Sequence, residues 1–508
     1  MAVKQYPIYD FKSGLQLQKD PWLLPNDAFT TLDNLRVFRG VLEKRAGYSI
    51  FESLSTDPIA GIYKYVKDDG TRELVFWDIA KFYVYDSATG SSSAVTGVSD
   101  FTGNDDSTFW AQNWKDNLFF VNNQDRLTRY NGTALSYLDV DIDGDAVNDL
   151  TTCKLIFIYH GRMVLFNTQE NGTRFPQRAR WCRVDDYTDW ENDEYLDMPS
   201  SDEIIGADFV RDTLYVFTDS SLWAFRYTAN EVLPFRWERV SSVEGTIAQH
   251  SLATFSNNIY TSNGQRLVVT DGIDIENFDV NVPDFMDTVA PERAQYMYSL
   301  VTKEFRNILW GYTSINSEAN DKIAAYNVDD KSWQIYDAPA KVFGLGKVYD
   351  DPTMDDVDLT FDEIEQTFDT KATQAGFPLS LFGDYDGNIY KLDESGSDAG
   401  TDISIEAKSV DINPFRLNGQ GCLFHYMDIM VDVDADATFD VSLYVNEDSQ
   451  PYKVQTIDCT GQGTTEWHRV YADAVSNSHS FKITNSGSND LFRIHAFILY
   501  LEPSGVIV

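Results

Sequence analysis

Five aspartates crowd one short stretch, Asp139-Val-Asp141-Ile-Asp143-Gly144-Asp145, continuing to Asp149. Alternating carboxylates ahead of a glycine bring several hard oxygens around one point, which is what Ca²⁺ requires. Asp139, Asp141, Asp143, Asp145 and Asp149 are therefore the candidate calcium ligands. The twelfth position of an EF-hand loop is a bidentate Glu, whereas here it is Leu150, and no flanking helices are evident. An acidic surface turn is the competing reading. Asp384-Tyr385-Asp386-Gly387 is a smaller version of the same pattern and reads as a hairpin.

Other chemistry finds little support. His160, His250, His425, His468, His479 and His495 form no HExxH or paired-ligand spacing, and there is no GxSxG, Walker-type loop or GxGxxG after a strand. Glycoside hydrolysis needs two convergent carboxylates. With 80 acidic residues many pairs can be drawn, so none is singled out. The sialidase-type SxDxGxxW repeat is absent, since 218–223 (TDSSLW) lacks the glycine. No enzyme is expected. Cys153, Cys182, Cys422 and Cys459 lack CxxC spacing, which argues against zinc. The N-terminus MAVKQYPIYDF has no apolar signal segment, which predicts buried thiols rather than disulfides. Asn131-Gly132-Thr133 and Asn171-Gly172-Thr173 match glycosylation sequons and read as ordinary turns.

The elements that must position these residues are strands. At 241–272 (SSVEGTIAQHSLATFSNNIYTSNGQRLVVTDG) runs at 251–255, 258–261 and 266–270 are separated by Asn- and Gly-rich turns. This is the local chemistry of an antiparallel meander. Similar units recur at 59–86, 109–132, 154–168, 204–227, 296–337 and 379–393. Over roughly 345 residues this gives about seven units of about 49 residues, near a propeller blade, with six or eight allowed by uneven insertions. The expected fold is thus all-β: an extended N-terminal arm (1–55), a β-propeller (56–400) and a C-terminal β-sandwich (401–508). The last is read from longer alternating runs at 405–412, 423–434, 438–446, 468–474, 479–484 and 492–502. In the arm, 27–35 allows a short helix. Arg36, Arg39, Lys44 and Arg45 form a basic island that suits a solvated face, the chain's own acidic surface or a neighbouring copy. Two insertions stand out, 169–200 with its aromatics and acids, and the strongly acidic 349–370.

The acids are 59 Asp against 21 Glu. Asp favours turns and caps where Glu favours helix, as befits a turn-rich β protein; a salt-adapted proteome has the same bias. The formal net charge of −40 repels nucleic acid and anionic membrane, so a polyanion slides past without sticking. Simple solubility is the plainer reason for such a charge. No apolar run approaches about 18 residues, so no membrane-spanning segment is expected.

The opening LDNLRVFRGVLEKRAGY (32–48) resembles the start of many bacteriophage tail proteins, in which a Lys-Arg-x-Gly segment precedes a propeller. The stretches 245–272, 321–337 (DKIAAYNVDDKSWQIYD) and 183–190 (RVDDYTDW) are similar to blades and loops of the same group. That group is the propeller-bearing nozzle or hub proteins of short-tailed viruses, also described as tail tubular or stabilisation proteins. The resemblance implies a virion structural protein, made in the host cytoplasm and assembled as a hexameric ring below the portal and adaptor. It would bind other tail proteins and let genomic DNA pass without tight binding. The resemblance brings no catalytic residue, and no cofactor is required beyond the calcium considered above. Two alternatives stand beside it: a host-glycan-binding tail adhesin using Trp181, Tyr187 and Trp190, and a propeller glycoside hydrolase.

Overall fold

The computed structural model describes residues 3–346, 378–433, 437–446, 448–461, 465–485 and 491–506; the acidic insertion 349–370 lies outside them. Among the described residues the chain is strand and turn, with helix limited to four short 3-10 segments. Four-stranded antiparallel meanders follow one another at 59–94, 110–137, 150–197, 204–241, 253–277 and 298–337. A further four-stranded sheet is formed by Val342–Gly346, Leu379–Gly383 and Asn388–Ser395, with Gly47–Ser53 from the N-terminal segment as its outer strand.

Local chemistry accounts for the meanders. Their strands bury Phe, Trp, Leu and Val, with the second strand of several units buried along its length. This is the pattern of a sheet covered on both faces. First hairpins close through two-residue turns in which both residues have positive φ: Lys115-Asp116, His160-Gly161 and Ser256-Asn257. Such turns match the right-handed twist of the strands they join. The first strand of each sheet packs on that of the next, and Val342–Gly346 returns to Ile59–Val66, so the sheets form a propeller-like ring. The last approach is tight: a Cβ on Gly344 would lie 2.4 Å from Ile62 Cγ2.

Residues 3–55, read as an extended arm, pair into the sheets. Ala28–Asp33 is a strand, not the short helix allowed at 27–35. Phe29 and Leu32 are buried there, and the backbone pairs antiparallel with Ile405–Ser409 (Leu32↔Ala407) and touches Ile335 in parallel. Non-local pairing thereby overrides a weak local helical preference. This strand fuses the 298–337 meander to Ile405–Ser409, His479–Asn485, Thr438–Val445 and Lys453–Asp458 in one ten-stranded sheet. A second, six-stranded sheet is built from Glu466–Ser476, Gln420–Val433, Phe492–Val506, Val41–Lys44, Leu35–Phe38 and Lys4–Tyr9. The two sheets meet through their apolar faces, with Phe481 on Phe497 (4.8 Å) and Phe439 on Phe492 (5.3 Å).

Two residues of the basic island, Arg36 and Arg45, bind the chain's own acids. Arg45 donates to both carboxylate oxygens of Asp398 (2.8 and 2.6 Å), to Asn34 Oδ1 (2.8 Å) and to the Asp337 carbonyl (2.9 Å). Arg36 pairs with Glu43 (2.5 Å) and Asp393 (3.2 Å). The insertion at 169–200 is instead the second half of the 150–197 meander, with strands Thr173–Trp181 and Tyr195–Asp197. Its inward charges compensate one another. Glu170 accepts from Arg178 (2.8 Å) and bidentately from Arg180 (2.8 and 3.0 Å), all three being buried.

Candidate functional site

The ring leaves a cavity of about 280 Å³ at one end of its axis. Residues at or just ahead of first strands line it: Thr108, Lys154, Ile205, His250 and Tyr298, from five consecutive sheets. His250 stacks flat on Tyr298 (4.3 Å, 8°), leans on Trp110 (5.5 Å) and shares a hydrogen bond with Thr108 Oγ1 (3.1 Å). Burial, and then the charge of Lys154, hold its pKa down at about 3, so the imidazole is neutral. Lys154 pairs with Glu203 at 3.3 Å.

At the rim Arg293 donates to both oxygens of Asp106 (2.7 and 2.5 Å) and to the Tyr385 hydroxyl (3.2 Å). Beside them the Lys341 ammonium, 3% exposed, donates to the Ser107 carbonyl at 3.1 Å. Burial lowers its pKa to about 7, against the pull of Asp106 and Asp105. Tyr385 comes from the 384–387 hairpin, where Asp384 accepts the Asp386 and Asn388 N–H groups (2.9 and 2.8 Å) and the Tyr390 hydroxyl (2.9 Å).

Asp106 is the one carboxylate lining the cavity among the described residues, and Arg293 occupies both its oxygens. Two carboxamides around it are engaged, Asn122 donating to Asp125 (2.8 Å) and Gln249 to the Lys154 carbonyl (3.2 Å), whereas the buried Asn123 Oδ1 has no hydrogen-bond partner among the described residues. The arrangement offers a small, nearly neutral polar recess. Among the described residues it lacks the paired carboxylates of glycoside hydrolysis; a hydroxyl does meet a neutral imidazole there, Thr108 Oγ1 with His250 at 3.1 Å. Motif reading missed the recess because Asp106, His250, Arg293 and Lys341 lie in the connections ahead of four different units. Their one shared signal is position, close to the start of a unit's first strand.

The five aspartates are only partly gathered. Oxygens of Asp141, Asp143 and Asp149 lie within 4.8 Å of one another. Asp139 leaves the group to pair with Arg126, and Asp145 accepts the Val147 N–H (2.8 Å). Asp141 caps the Gly144 and Ala146 N–H groups (2.8 Å each) and Asp149 that of Ile142 (2.7 Å). Loss of hydration and the carboxylates of Asp145, Asp149 and Asp141 push the Asp143 pKa upward. Three carboxylates already bonded to backbone fall short of the six to eight oxygens of a full Ca²⁺ shell.

The three aromatics considered for glycan binding are not a surface platform. Trp181 and Trp190 are core residues, 1% and 5% exposed, and Tyr187 is half-buried against Phe119 (5.0 Å). The Trp190 indole N–H donates to the Tyr187 carbonyl at 2.8 Å. All four cysteines are buried and unpaired. Burial pushes Cys153, Cys182 and Cys422 up to about 12 and Cys459 to about 11. No helix of the described residues is long and apolar enough to cross a membrane.

No family model matches this chain. No curated protein matches it in sequence. Solved structures with some likeness include the computationally designed Ika8 protein, at 10% identity and a TM-score of 0.37 over 68% of this chain and 100% of that one. A gluconolactonase from Xanthomonas campestris gives 13% and 0.32, over 55% and 88% of the two chains. An exo-β-1,3-galactanase from Phanerochaete chrysosporium gives 9% and 0.27, over 83% and 99%. No residue role is transferred at such values.

Proposed function

We propose that this chain is a structural protein of a viral tail. It would form a ring, sixfold by the resemblance, that sits below the portal and adaptor, conducts DNA and docks other tail parts. In this reading the six four-stranded sheets and the 298–337 meander are the blades of one propeller closed by Gly47–Ser53, and the six-stranded sheet and the rest of the ten-stranded sheet are the halves of a β-sandwich.

The observation that carries the reading is the lacing of residues 3–55, which include the opening resemblance, through three separate sheets. One strand closes the ring, one bridges it to the C-terminal sheet and three join the other sheet. Such threading makes a rigid building block. At the recess Arg293 holds Asp106 and Lys154 pairs with Glu203, while Lys341 donates to the Ser107 carbonyl and His250 bonds Thr108, engagements that suit a building block. A duplex whose major groove alone is about 12 Å wide does not fit a recess of about 280 Å³. DNA would therefore run between copies, past a net negative charge that keeps it from adhering.

The test is mass spectrometry of density-purified particles of the virus that encodes the chain, with copy number counted against the portal. A ring component is expected at about six to twelve copies per particle. Absence from particles would overturn the proposal.

A further inference from the structure

We propose that the outer face of the six-stranded sheet is where one copy of this chain binds another. Its inner face is core, carrying Phe424, Met427, Ile429 and Val431. On the outer face Trp467 is 51% exposed, Tyr471 52%, Val475 65% and Tyr9 65%. Register aligns them in rows across the strands: Trp467↔Met430↔Ala496↔Tyr9, and Tyr471↔Tyr426↔Tyr500↔Gln5. Tyr426 and Tyr500 stack at 4.2 Å. The result is a partly exposed aromatic surface across four paired strands, of the side-chain type that dominates the energy of protein interfaces.

Charge identifies the occupant. The row between these two holds Arg469 and Asp428, bonded to each other at 2.7 and 3.0 Å, with Ile498 and Pro7 completing it. At the margins Arg493 pairs with Asp432 (3.5 Å) and His425 with Glu502 (3.3 Å), and Asp473 sits in the bulge beside Tyr471. Two copies that each carry −40 repel over most of their surface, so a contact between them must form where charge is absent or paired. The centre of this face meets that condition, its Arg469–Asp428 pair being closed and Asp473 and Glu502 lying toward its margins. A cationic partner would instead prefer the acidic surface elsewhere. Its extent, about 27 Å along the strands by about 19 Å across four of them, gives about 500 Å² per copy, or about 1,000 Å² for a pair. That reaches the lower bound of a specific interface. The inference deepens the ring reading, in which this face would meet a different surface of the neighbouring copy; it rests on that reading for the number of copies, but not for the contact itself.

The test uses the full chain. Sedimentation velocity across a concentration series should show species above the 57.7 kDa monomer, increasing with salt as repulsion is screened. Trp467→Ser combined with Tyr471→Ser should weaken association about tenfold or more with an unchanged melting temperature. Val232→Ser, at a position 91% exposed in a loop between strands of another sheet, should leave it unaltered. As a second measurement, an engineered Val475→Cys thiol should lose maleimide reactivity on assembly while Val232→Cys keeps it; the four native thiols are buried and give little background. A chain that stays monomeric throughout, a double variant that assembles like the parent, or a face that binds lipid vesicles while the protein remains monomeric would each overturn the proposal. Self-association through this face by a chain absent from virus particles would remove the tail reading and leave this inference standing.

Discussion

At the residue scale, the ionisable groups of the axial recess act on stability. His250 has a folded pKa of about 3 against an ordinary 6.5, and burial also lowers His479. The unfolded chain therefore binds more protons than the folded one between those values. The stability that the neutral His250 contributes is full above about pH 6.5 and is lost as pH falls toward 3. Urea midpoints should drop from pH 7 to about pH 5, and His250→Phe, which keeps the stacking surface, should flatten that drop. An unchanged slope in the variant would show that His250 is already charged in the folded state. Lys341, with a pKa near 7 against 10.5, acts at the other end of the scale: its burial cost falls as pH rises from about 7 to 10.5. The aspartates at 139–149 belong to this scale too. Their types and spacing were plain in the sequence, but which oxygens converge depended on partners such as Arg126, which draws Asp139 away.

At the scale of single elements, the 150–197 meander shows where pattern reading stops. Strand Thr173–Trp181 (TRFPQRARW) carries three arginines and a proline and looks like a loop by polarity. It is a strand because Glu170, on the neighbouring strand, neutralises Arg178 and Arg180 inside the sheet. Burial alone would raise the Glu170 pKa; the arginines hold it below the ordinary carboxylate value. Replacing Glu170 with Gln leaves two buried guanidiniums short of a counter-charge, Arg178 keeping only Asp197. The expected loss is about 3–5 kcal/mol, read as a lowered denaturation midpoint. A loss below about 1 kcal/mol would mean that water already screens this cluster. The 253–277 meander is the opposite case. Its turn Ser256-Asn257 and its apolar runs are local signals, and the strands Ala253–Phe255, Asn258–Ser262 and Leu267–Thr270 fall where those signals place them.

At the scale of the whole molecule, the N-terminal segment couples the ring of sheets to the C-terminal pair. Arg45 is central to that coupling, because a single buried guanidinium joins Asn34, Asp337 and Asp398. Arg45→Met should cost about 3 kcal/mol or more and, in calorimetry, split one cooperative transition into two as the parts uncouple. A single transition, merely shifted, would place the coupling in the strand pairing of Ala28–Asp33 instead.

What the sequence determined by itself was local: strand and turn content, the repeat of short meanders, the longer alternating strands after residue 401, and the acidity. These follow from period-two alternation and from turn residues, which act over a few positions. What only the tertiary structure decided was everything set by distant partners. Leu32 pairs with Ala407 and Gly47–Ser53 closes the last sheet. Asp106 meets Arg293, and Trp467 lines up with Tyr9 across the sheet. Each of these joins residues far apart in the chain, and no local pattern encodes which strand edge or which counter-charge will be found there.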